Sequence, residues 1–272
     1  MPGQDADHPL LTGALAFSLL APGGAALAQD ACAALAALAR PDLRITRAEA
    51  VPAGTLPTED SGRAALTGAA RSAAALPAHC VVEGMIGPRT GAEGASFGTG
   101  FQLRLPQEWN GRLLFQGGGQ DGVINEALGA IPVSDATTRP ALNRGYAVVS
   151  TDSGHQGRDS SDSSFGTDQQ ARIDHAYASI GTVSREARRV VEARYGRGPE
   201  KAYFMGCSNG GRSALMAAQR FPTEFDGVVA GNPGFRLSRA AVGQAWASRP
   251  SPPRRGMRKG GPCSPTRSPL PT

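Results

Sequence analysis

The stretch that decides the fold is Lys201–Phe221, KAYFMGCSNGGRSALMAAQRF. Ala202–Met205 reads as a short strand, and Arg212–Phe221 as a helix that opens near Gly211. Between them lies Gly206-Cys207-Ser208-Asn209-Gly210, a G-x-S-x-G pattern. Strand, sharp turn, helix is the context in which this pattern lifts a serine hydroxyl off the edge of a sheet. Glycines two before and two after the serine let strand and helix backbones approach while Ser208 takes a strained conformation. The amide of Asn209, at the helix N-terminus, is then placed to stabilise an oxyanion. The same pattern recurs at Gly94-Ala95-Ser96-Phe97-Gly98, but there it sits in a glycine-rich loop followed by a strand and reads as turn chemistry.

Working outward, Phe101–Leu105 alternates as a strand that stops at Pro106, and Arg112–Gln116 is an apolar run that enters Gly117-Gly118-Gly119. Tyr146–Thr151 is a β-branched run, followed by a polar Ser/Asp/Gly loop to about Gly166. Apolar residues then recur near helical spacing from Ala171 to Tyr195, closed by Gly196, and Gly227–Ala230 is a further strand. Strands alternating with helices predict an α/β fold with a mostly parallel sheet and ligands at the carboxyl ends of its strands. The glycine turn places Gly118 and Gly119 as a second source of oxyanion donors.

A serine hydroxyl needs an adjacent base, and the base an orienting acid. In this fold the chain order is serine, acid, histidine. No histidine follows Ser208, and the acids closest behind it, Glu224 and Asp226, are too near the turn to serve as orienters. His8, His79, His155 and His175 all precede it. His155, in TDSGH at the end of a strand, reads as a loop residue that could border the site; His79 and His175 read as surface or packing histidines.

Composition narrows the function classes. Hydrophobic residues are 40% and charged residues 19% of 272, a globular balance. No window approaches the roughly 20 apolar residues of a spanning helix, so no membrane role is expected. The net charge of +5 is not a nucleic-acid footprint. Six basic residues (Arg249, Arg254, Arg255, Arg258, Lys259, Arg267) fall in residues 248–272, which contain no acid. Without them 22 basic face 23 acidic residues, a net of −1. The four cysteines have no zinc-type spacing, and no metal site is expected. Leu10–Leu20 with Ala26-Leu27-Ala28 reads as a signal peptide over residues 1–28, despite Asp5 and Asp7 where positive charge is usual. That predicts a secreted or periplasmic protein able to form disulfides. Residues 29–246 are the expected folded domain, and 247–272 a disordered basic Pro/Arg-rich tail of the kind a shifted reading frame yields.

The block Tyr203–Phe235, YFMGCSNGGRSALMAAQRFPTEFDGVVAGNPGF, resembles the tannase/feruloyl esterase family of α/β-hydrolases. Supporting segments are FQGGGQDGVI (Phe115–Ile124), GYAVVSTDSGH (Gly145–His155) and LPAHCVVEG (Leu76–Gly84). The resemblance implies a secreted serine carboxylesterase acting on phenolic esters of gallate or ferulate type through an acyl-enzyme on Ser208. It also implies a Cys32–Cys80 disulfide. In the family a cysteine before the nucleophile pairs with one beside the catalytic histidine; Cys207 matches the first, while that partner, the histidine and the acid have no counterpart here. Cys263 is unpaired by the same rule. The family's inserted lid, which holds a calcium ion, has no counterpart either, so no cofactor is expected on this chain. The resemblance therefore implies an α/β-hydrolase incomplete on its C-terminal side and at most residually active. A non-catalytic secreted binding protein, or a hydrolase of another substrate class, are the alternatives.

Overall fold

Alternation of side chains builds the sheet, and the chain order of its strands brings the candidate residues to one end of it. The computed structural model describes residues 30–55, 75–91, 94–118, 124–130, 139–157 and 162–248. The strands are β1 (Leu43–Val51), β2 (His79–Thr90), β3 (Ser96–Pro106), β4 (Arg112–Gln116), β5 (Ala147–Thr151), β6 (Lys201–Cys207) and β7 (Gly227–Gly231). They form one seven-stranded sheet in the order β1-β2-β3-β5-β4-β6-β7. The half from β5 through β4 and β6 to β7 is parallel, as the alternation of strands and helices predicts. The half from β1 to β5 is antiparallel, which makes the sheet mixed. β1 and β2 went unread in the sequence. Both are half-buried ribbons interrupted by bulges between Ile45 and Arg47 and between Ile86 and Arg89, which break a clean period of two.

Alternate residues of the central strands face opposite ways. Leu113 and Phe115 of β4, Val149 of β5 and Phe204 of β6 face one layer. That layer contains α2 (Ser179–Tyr195) and α3 (Asn209–Arg220), which present Val183, Ala187, Val190, Ala214 and Ala217 to it. Phe115 and Phe204 stack at 4.8 Å, and Phe225 meets Phe204 edge-on at 5.4 Å. Leu114 and Val148 face the other way, onto Leu76, Leu128, Ala141 and Leu142. Before α2 come a short helix, α1 (Gln169–Ile173), and a π-helical turn, Asp174–Ala178, where one continuous helix from Ala171 was predicted. Asp168 caps α1, accepting from the Ala171 amide at 2.7 Å. α3 begins at Asn209, three residues ahead of the predicted Arg212, because the helix takes over directly from the turn.

Cys32 and Cys80 form the expected disulfide, tying the segment before β1 to β2 across a separation of 48 residues. Arg40, in the same segment, makes a two-pronged pair with Glu186 of α2 at 3.1 and 2.7 Å. Two compact units divide at Gly234/Phe235, and α4 (Leu237–Ala247) belongs to the second. The expected signal segment 1–28, the expected tail beyond residue 248, Gly119, His8 and Cys263 lie outside the described residues.

Candidate active site

Ser208 stands at the carboxyl end of β6, the second strand from the β7 edge, and is exposed. Its backbone has φ 57° and ψ −117°, a conformation that costs a non-glycine residue about 1–3 kcal/mol. Three backbone hydrogen bonds hold it there. The Ser208 amide donates to Gly231 O at 3.1 Å, and Ser208 O accepts from Arg212 N at 3.0 Å and Gly234 N at 3.1 Å. The flanking glycines are required by contact: a Cβ on Gly206 would lie 2.4 Å from the Gly210 carbonyl carbon and oxygen. Strand and helix thus cross with no room for a methyl group, and the serine is forced out of the sheet.

Gly210 touches the glycine turn in the same way. A Cβ there would sit 2.6 Å from Gly117 O and 3.0 Å from Gly118 N. The Gly117 amide in turn donates to Met205 O at 2.8 Å. The structure thus packs Gly210, two residues past Ser208, against Gly117 and Gly118. Gly118 has φ +136°, which L side chains rarely adopt. The Asn125 side-chain amide nitrogen lies 3.2 Å from where its Cβ would be. Asn209 opens α3, so its amide is among those with no intrahelical acceptor.

The described histidines are used elsewhere. His79 is buried within β2, its Nδ1 on Pro77 O at 2.7 Å and its Nε2 against Arg104 at 2.8 Å. Burial and the neighbouring guanidinium take it down to about 4. His155 is 4% exposed, with Nε2 on Asp162 O at 2.6 Å, and packs on Phe165 and His175. His175, in the π-helical turn, approaches Arg212 of α3 at 3.4 Å, and burial takes it to about 4. Both rings pack on Phe165, and among the described residues no hydrogen bond joins either of them to Ser208. Glu224 pairs with Arg185 and Arg188, and Asp226 with Lys201 and the Ala202 amide. Cys207 is a free thiol.

Three polar residues that the sequence did not single out lie at strand ends or beside the glycine turn. Asp152, at the end of β5, is 4% exposed and accepts from Gly100 N at 2.9 Å, Gly154 N at 2.8 Å and the Gln156 side chain. Burial pushes it up to about 7 against the pull of those donors. Gln116 and Asn125 flank the glycine turn; a polar residue closing an apolar run had read only as a strand end. Among the described residues no group of three or more His, Cys, Asp or Glu could hold a metal ion. No helix among them is long and apolar enough to cross a membrane. A groove of about 420 Å³ on the second sheet face is lined by Leu114, Tyr146, Tyr203 and Met205, but by neither Ser208 nor Gly118.

Known proteins resemble this chain in sequence and in fold. The family model described as tannase and feruloyl esterase matches residues 80–255. A mono(2-hydroxyethyl) terephthalate hydrolase from Piscinibacter sakaiensis is 43% identical over 187 residues, 66% of this chain and 31% of that protein. A probable feruloyl esterase B-2 from Aspergillus flavus is 34% identical over 136 residues, 48% of this chain and 23% of that protein. The crystal structure of feruloyl esterase B from Aspergillus oryzae superposes with a TM-score of 0.60 at 26% identity, covering 77% of this chain and 38% of that one. The chain spans about a third of the length of the curated relatives it matches most extensively. An α/β sheet with a strained serine on a glycine-packed turn, matched over more than half its length, places the chain in the tannase and feruloyl esterase family.

Proposed function

We propose that this chain carries the nucleophile and oxyanion half of a serine carboxylic-ester hydrolase, working through an acyl-enzyme on Ser208. The observation that carries the reading is the Ser208 backbone at φ 57°, with the Gly117–Gly118 turn packed on the helix it opens. Ser208 Oγ would attack the ester carbonyl, and the amides of Asn209 and Gly118 would receive the negative charge formed on the carbonyl oxygen. Such donors cost no reorganisation at the moment of reaction, and losing one typically costs about 10²–10³ in rate. Among the described residues no histidine is placed to take the Ser208 proton. Hydrolysis by the 272-residue chain is therefore proposed to be residual, roughly the 10³–10⁴-fold over water left when a triad member is lost.

The substrates proposed are small phenolic esters of the gallate or ferulate kind, in keeping with the names of the fungal relatives. A second class, half-esters of terephthalate, is favoured by the 43% identical hydrolase of that name. Both are esters of an aromatic acid, so one experiment serves. Incubated with methyl gallate, methyl ferulate or mono(2-hydroxyethyl) terephthalate, the chain should release acid slowly, and Ser208→Ala should release none above buffer. Equal release by the variant refutes the assignment; a ligand bound without cleavage at any pH supports a binding protein instead. Secretion into an oxidising compartment belongs to the same proposal, supported by the Cys32–Cys80 disulfide.

A further inference from the structure

We infer that Gln116 is a positioning residue for the oxyanion-binding amide of Gly118, an inference that rests on the proposed acyl transfer at Ser208. Gln116 ends β4 and immediately precedes the glycine turn. It is 4% exposed, unusual for a glutamine on a central strand, where an unmatched amide would be costly to bury. Its amide is matched at both ends. Nε2 donates to Glu126 O at 3.0 Å, and Oε1 accepts from Gly129 N at 2.6 Å. One side chain therefore clamps the residue before the turn to the backbone that follows it.

The segment so clamped is the one that touches Gly118. The Asn125 side chain lies against it, and Asn125 O accepts from Ser150 Oγ of β5. Ala127 N donates to Gln102 Oε1 of β3 at 2.8 Å, and Arg104 of β3 reaches the Glu126 carboxylate at 2.7 Å. Four polar side chains from three adjacent strands thus secure residues 125–129 against the sheet. Only Gln116 also belongs to the chain leading directly into Gly117–Gly118. A leucine there would fill similar space but release Glu126 O and Gly129 N. A glutamate would keep both bonds while protonated, its O–H donating to Glu126 O and its carbonyl accepting from Gly129 N. Once ionised it could no longer donate, and its charge would face the Glu126 carbonyl oxygen.

The test uses acylation of Ser208 by p-nitrophenyl acetate, whose leaving group departs without a proton donor. The Ser208 Oγ–acyl bond forms, p-nitrophenolate leaves with the electron pair, and the serine proton passes to solvent hydroxide. Acetylation at Ser208 is followed by mass spectrometry from pH 5 to 9, with hydrogen exchange measured over Phe115–Gly118. Gln116→Leu should slow acylation about 10²-fold with the half-saturating ester concentration unmoved, the loss expected for a misplaced oxyanion donor. Gln116→Glu should match the wild type at low pH and fall to the leucine level as the carboxyl ionises. Exchange should rise by about tenfold in the leucine variant and follow the same titration in the glutamate variant. Equal acylation in wild type and leucine variant, or a glutamate variant impaired equally at every pH, overturns the inference. If wild-type Ser208 is not acetylated, the esterase reading fails on its own. The exchange arm still decides on Gln116, because unchanged exchange in both variants overturns the clamp.

Discussion

Gly210→Ala sets two measurable forces against each other. Alanine is favoured over glycine inside a helix by about 1 kcal/mol, so at an open position in α3 it would stabilise. Here the new Cβ would meet Gly117 O at 2.6 Å, Gly117 C at 2.7 Å and Gly118 N at 3.0 Å, all backbone atoms that cannot rotate away. Reaching ordinary contact at 3.4 Å requires the glycine turn and α3 to separate by about 0.8 Å. Overpacking of this kind costs about 1–3 kcal/mol, so the net effect is a loss of roughly 0–2 kcal/mol. The functional effect should be larger. A displacement near 1 Å of an oxyanion donor costs about 10²-fold in rate. The assays are urea unfolding and the rate of Ser208 acetylation by p-nitrophenyl acetate. A variant stabilised by about 1 kcal/mol, with an unchanged acetylation rate, would show that the turn does not pack on the elbow helix and that this geometry is wrong.

Stability should depend on pH through three buried groups with opposing signs. His79 and His175 ordinarily titrate at 6.5 and fall to about 4 in the fold, so their contribution is present above pH 6.5 and lost as pH drops towards 4. Asp152 rises from 3.8 to about 7, so its contribution is present at low pH and lost as pH climbs through that window. Between pH 4 and 6.5 these three groups hold two more histidine protons and one fewer aspartate proton in the unfolded chain, so their joint contribution to stability should fall by about 1.4 kcal/mol per unit of acidification. In Asp152→Asn, whose Oδ1 can still accept from Gly100 N and Gly154 N, the slope should roughly double to about 2.7 kcal/mol per unit; urea midpoints against pH read both. A variant with an unchanged slope would place the Asp152 proton elsewhere. Separately, replacing Cys32 and Cys80 by alanine should lower the unfolding free energy by about 4 kcal/mol, from the entropy of the loop they close. Equal urea midpoints would show that the unfolded chain is already constrained there.

What could be read in the sequence was local. Met205 to Gly211 is a single strand–turn–helix, and its requirements, glycine at the two crossing points and a strained serine between them, are met within five consecutive residues. The parallel strands were legible because each is a short apolar run closed by a turn residue. The Cys32–Cys80 pairing was legible from the family resemblance alone. β1 and the bulged β2 were not, because their irregularities arise from pairing with distant neighbours, and the π-helical turn at Asp174–Ala178 left no mark on the apolar spacing.

The nucleophile and its immediate scaffold were determined by the order of residues, since the forces that shape them act between atoms a few positions apart. Tertiary structure alone decided that Gly210 bears on Gly117, that Gln116 reaches across to Glu126 and Gly129, and that His155 meets Asp162 and His175 meets Arg212. Those outcomes depend on sheet register, which brings residues far apart in sequence within hydrogen-bond reach. Burial then makes each polar group find a partner among whatever that register supplies.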